Sequence, residues 1–108
     1  MLFDGTRKMY EFTVTFQDSY RKERIIGHVK NESKEKAHEA AWDCIMQFLR
    51  EHSYVSYYQR VTVMPMHGIE DVEWIDVGSW SEFFHIYPAD ELTVDQAIRS
   101  AEIEPAYY

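Results

Sequence analysis

From Met9 to Gln17 the chain alternates strictly. Tyr10, Phe12, Val14 and Phe16 fall on one side, and Glu11, Thr13, Thr15 and Gln17 on the other. A period of two over eight residues predicts a half-buried strand. Asp18-Ser19-Tyr20-Arg21 is a turn, and Arg24 to Lys30 is a second strand with Ile25, Gly27 and Val29 on one face. Together they predict an antiparallel hairpin. The period then changes. Between Ser33 and His52, Ala37, Ala40, Ala41, Cys44, Ile45, Phe48 and Leu49 recur at the spacing of one helical face. Ser33 suits the N-cap, and Glu35 in the first turn suits the helix dipole. Burying Ile45, Phe48 and Leu49 is worth roughly 1.5–3 kcal/mol each.

Beyond the helix the pattern returns to strands. Tyr57 to Met64 is rich in aromatic and β-branched residues, and Pro65 ends that strand or sets it at an edge. Met66 to Asp71 reads as a loop and Val72 to Val77 as a fourth strand. Gly78-Ser79 fits a two-residue hairpin turn with Trp80 starting a fifth strand; alternatively Ser79 and Glu82 form a capping box opening a short helix. Phe83 to Tyr87 reads as a strand stopped by Pro88. Thr93-Val94-Asp95-Gln96 fits a second capping box, predicting a helix from Val94 to Ala101. The order is ββα, then two or three strands, then a helix. That is an α+β fold: an antiparallel sheet of four to five strands with one long helix packed on one face and a short C-terminal helix, both helices expected on the same side.

A chain of 108 residues fits one domain, with residues 1–7 as a lead-in and 102–108 as a tail. Its aromatic content of 16% excludes a disordered chain, because aromatic residues bury well. Cys44 is the only cysteine, so an intramolecular disulfide is excluded and a reducing, cytoplasmic setting is expected. No apolar run approaches eighteen residues, and Met1 to Gly5 lacks the features of a signal peptide.

Charge changes the picture more than composition does. Residues 1–60 hold ten basic residues against nine acidic ones. Residues 61–108 hold one basic residue, Arg99, against ten acidic ones: Glu70, Asp71, Glu73, Asp76, Glu82, Asp90, Glu91, Asp95, Glu102 and Glu104. Such a field repels nucleic acid and attracts a basic protein. The plainer alternative is that the acids serve solubility. Carboxylates spaced along strands and loops can also imitate phosphates, since a phosphate-binding groove is largely Lys and Arg. In size and charge the chain resembles the small inhibitors that phages make against host nucleases, such as anti-restriction and anti-CRISPR proteins. That resemblance implies occlusion of a basic, nucleic-acid-handling partner and carries no individual residue over.

The residues singled out for partner binding are Glu70, Asp71, Glu73, Asp76 and Glu82, flanked by Tyr54 and Trp80 as anchors. Tyr54 belongs to a dense Tyr/Ser run, Ser53 to Tyr58, of the kind found in binding loops and also in ordinary strands. A second reading is a nucleic-acid-binding hairpin at Arg21, Lys22 and Arg24, with Tyr20 able to stack on a base. Against it, Glu23, Glu32 and Glu35 are interleaved with the cations. A third reading is a structural subunit that oligomerises through a sheet edge.

Catalytic chemistry has little support. His28, His38, His52, His67 and His85 show no metal-ligand spacing, and Cys44 has no CxxC partner. Neither a metal nor a cofactor is expected, and Cys44 is expected to be buried on the helix stripe. Only His85 with Glu73 and Asp76 could meet across strands as an acid–base pair. The expectation is a protein that binds and does not catalyse.

Overall fold

The computed structural model describes residues 8–52, 62–65, 72–76 and 82–103. The elements run β1 (Tyr10–Gln17), β2 (Glu23–Asn31), α1 (Lys34–Glu51), β3 (Thr62–Pro65), β4 (Glu73–Asp76), β5 (Phe83–Tyr87) and α2 (Glu91–Ile103). They form an α+β fold with one antiparallel sheet in the order β2-β1-β5-β4-β3. The sheet carries five strands, at the upper end of the expected range. Residues 57–61, expected in the third strand, and residues 66–71 and 77–81 lie outside the described residues. Pro65 ends β3, which is an edge strand of the sheet among the described residues.

The helix α1 forms where the apolar spacing places it. Ser33 caps it, its Oγ accepting from the Lys36 N–H, and Ala37, Ala41, Ile45, Phe48 and Leu49 are buried. They pack on Phe12, Val14 and Phe16 of β1, Ile75 of β4, and Phe84 and Ile86 of β5. Phe16, Phe48 and Phe84 meet ring to ring, with centroids 4.6–5.6 Å apart. Cys44 is only half-buried, at the margin of the stripe, and β2 runs close beneath it. A methyl group on Gly27 would stand 2.6 Å from the Cys44 Sγ, so glycine is what lets strand and helix approach.

Three expectations need correction. First, Ile25, Gly27 and Val29 do not share a face. The register shifts at Val14/Thr15, so Val14 pairs with Gly27 and Thr15 with Ile25. Such a bulge inserts one residue and turns Ile25 to the far side. Second, β1 is buried on both faces: Thr13 and Thr15 are as inaccessible as Val14. Third, the helices do not share one side. Thr13, across the pleat from Val14, donates its hydroxyl to the Ala89 carbonyl in the approach to α2. His28, paired with Thr13, lines a hollow with Asp90, Glu91, Leu92 and Asp95. So α2 lies against the face opposite α1 and buries Val94 and Ile98 there.

The helix α2 also starts three residues earlier than the Thr93 capping box predicts. The Asp90 carboxylate accepts from the Thr93 N–H at 2.7 Å, which makes Asp90 the cap. These bonds hold the Asp90 carboxyl below its usual range.

Candidate functional site

Among the described residues, the acids of β4 do not share one face. Side chains alternate along β4, so Glu73 and Asp76 point to opposite faces of the sheet. Glu73 shares the α1 face and accepts from His38 Nε2 on α1, with both carboxylate oxygens within 3.0 Å. Asp76 pairs with Phe83 in the ladder, which brings Asp76 and Glu82 to the same end of β4 and β5. Both are half-buried. Glu70, Asp71, Tyr54 and Trp80 lie outside the described residues. Of the residues singled out, the fold therefore sets Asp76 and Glu82 at the same end of β4 and β5, and Glu73 on the α1 face.

The most concentrated chemistry lies elsewhere, on the α2 face. Glu23 begins β2, Thr15 stands on β1, and His85 and Tyr87 alternate along β5. Thr15 pairs with His85 and Thr13 with Tyr87, so all four groups converge across three adjacent strands. Thr15 Oγ1 donates to Glu23 Oε2 at 2.6 Å, and the Tyr87 hydroxyl donates to the same oxygen. His85 Nδ1 stands 3.4 Å from that oxygen, is fully buried, and makes no hydrogen bond. The His85 ring also stacks on Tyr87.

Burial explains the protonation states. Desolvation pushes His85 below its ordinary value, with Glu23 opposing in part. Desolvation and the bond to Glu23 push the Tyr87 phenol far above its ordinary value. The cluster thus holds a neutral imidazole and a protonated phenol around one carboxylate. Only 2% of His85 is exposed. A group that must exchange protons with a substrate has to reach it, and this one is covered. The cluster acts as a polar clamp joining β1, β2 and β5.

The expected His85 acid–base pair takes a different form. The carboxylate beside His85 is Glu23, and Glu73 serves His38 on the other face. Sequence reasoning missed Glu23, Thr15 and Tyr87 as a group. The period-two pattern does put His85 and Tyr87 on one side, but only the adjacency of β1 and β5 brings Thr15 and Glu23 to them. A further pair, Glu11 and His28 at 3.1 Å, links β1 and β2 on the same face.

Among the described residues no group of three or more His, Cys, Asp or Glu is placed to hold a metal ion, and no helix is long and apolar enough to cross a membrane. No protein-family model, curated protein or solved structure matches the chain.

Proposed function

We propose that this chain is a binding protein whose acidic C-terminal half docks on a basic protein partner. Occlusion of a nucleic-acid-handling surface, in the manner of an anti-restriction or anti-CRISPR inhibitor, is the use that best suits such a field. The observation that carries the reading is how the fold spends the cations. Sheet order sets the C-terminal strands β5, β4 and β3 together on one side of β1 and β2. Arg99, the only basic residue after Arg60, is already tied to Asp95 at 2.8 Å. Ten acidic residues against one basic residue in that part of the chain support the reading.

Glu73, Asp76 and Glu82 are the described members of the docking set, Glu73 with His38 beside it on α1, and Glu70, Asp71, Tyr54 and Trp80 are further contributors. Complementary charge raises association rates and falls off with ionic strength. The test is affinity capture from host-cell lysate at low and high salt, using wild-type protein and an Asp76→Lys/Glu82→Lys variant. The expected result is a basic protein held by the wild type at low salt, released at high salt, and lost in a variant that circular dichroism shows to be folded. Identical capture by both proteins would overturn the reading.

A further inference from the structure

The hairpin between β1 and β2 presents a different surface, and its acidic neighbours do not face where the sequence order suggests. Asp18 is consumed by the turn itself: its Oδ1 accepts from the backbone N–H groups of Tyr20 and Lys22 at 2.8 and 3.0 Å. Glu23 is turned to the opposite face of the sheet from Arg24 and is held by Thr15 and Tyr87. Glu32 and Glu35 lie beyond the far end of β2, at the start of α1. The interleaved acids that argue against a nucleic-acid site in the sequence are thus diverted by the fold.

What remains exposed at the tip is Tyr20, Arg21 and Lys22, with Arg24 behind them. Tyr20 is 83% exposed, the highest value among the exposed large hydrophobic residues described. The tip is also preorganised. The Arg21 N–H donates to the Asp18 carbonyl at 2.9 Å, and the Asp18 N–H donates to the Lys22 carbonyl at 3.0 Å. Arg21 is held at φ 66°, a left-handed conformation that a side-chain-bearing residue adopts only under constraint. The Arg24 guanidinium lies over the rings of Phe16 and Phe48, at 5.7 and 5.8 Å from their centroids. That fixes its height above the sheet while leaving it accessible.

We propose that this tip binds single-stranded nucleic acid, with Tyr20 stacking on an unpaired base and Arg21, Lys22 and Arg24 contacting the flanking phosphates. Charge complementarity selects a polyanion, and the exposed phenol ring selects one with free aromatic faces. A single protruding ring cannot reach a base inside a duplex, so unpaired strands are favoured. The net charge of −8 does not forbid this. The strand β4 stands three strand spacings from β2, about 14 Å, beyond a screening length of about 8 Å in physiological salt. Glu82 is the nearer acid, since Phe83 pairs with Gln17 beside the turn.

The experiment is fluorescence anisotropy with a labelled oligothymidine of about twelve nucleotides, starting at about 50 mM salt. Three phosphate contacts predict a slope of about −2 in log affinity against log salt. Tyr20→Ala should weaken binding roughly ten- to hundredfold, the value of one stacked base. Lys22→Glu should weaken it and flatten the slope, and Glu82→Gln should strengthen it. Tyr20 and Lys22 are exposed, so their variants should melt as the wild type does. Absence of binding at low salt would overturn the proposal. So would binding that Lys22→Glu abolishes and Tyr20→Ala leaves unchanged, which would mark a general polyanion contact equally open to an acidic protein segment. The reading stands apart from the acidic docking face, because Asp76→Lys, which disrupts that face, should not reduce oligothymidine binding.

Discussion

The two faces of the sheet use the same strands and opposite chemistry. Under α1, Phe12, Val14, Phe16, Ile75, Phe84 and Ile86 pack against an apolar helix stripe. Under α2, one pleat away, Thr15, His85 and Tyr87 gather around Glu23, and Thr13 donates to the Ala89 carbonyl. The first face is held by burial, which has no direction and tolerates volume-conserving change. The second is held by directed bonds, to one Glu23 oxygen and to the Ala89 carbonyl, and losing a donor leaves its acceptor without that partner. The difference teaches where each kind of substitution should hurt.

The largest effect should come from putting a charge under α1. Phe48 is buried between Phe16 and Phe84, and Phe48→Asp loses its packing and buries a carboxylate without a partner. Removing such a ring alone costs about 3–5 kcal/mol, comparable to the whole stability of a domain this size. The variant should show no cooperative thermal transition; a normal melt would mean that α1 does not carry the core.

An intermediate effect should come from the other face. Tyr87→Phe keeps the ring and removes one donor to the Glu23 carboxylate. A hydrogen bond to a charged group is worth about 1.5–3 kcal/mol, which partial exposure of Glu23 reduces. A loss of about 1–2 kcal/mol in chemical denaturation is expected. Equal stability would show that water replaces the phenol without cost.

The smallest effect should be a pH dependence confined to the polar face. Burial holds His85 below its ordinary value of 6.5, so the unfolded chain takes up the proton first. The stability this contributes is complete above pH 6.5 and is lost as the pH falls through the lowered folded-state value. The melting temperature should decline over that window, and His85→Phe should remove part of the slope. An unchanged slope would show that His85 does not govern the dependence.

How far the fold was legible follows from the same contrast. The α1 face could be read directly, because the period of two in Tyr10–Gln17 and the helical spacing from Ala37 to Leu49 are local signals. The α2 face could not. Whether Thr13 and Thr15 face water or an interior depends on where a helix eighty residues later comes to rest. The bulge at Val14/Thr15 has the same character, since a register shift is a property of two strands. Among the residues singled out for binding, the expected grouping of Glu73 with Asp76 fails on the pleat itself, which separates residues three apart. The diversion of Asp18 and Glu23 from the hairpin tip depends on a turn and on β5, and charge counting along the chain sees neither.

The close passage of Gly27 beneath Cys44 gives the molecule a built-in gauge. The thiol is pressed against backbone on one side, and burial with Asp43 nearby keeps it protonated. Both conditions slow its reaction with an electrophile, which needs the thiolate and room to approach. The close contact is relieved when α1 lifts from β2, so alkylation of Cys44 should quicken as helix and strand separate, in the intact protein and with no engineered label.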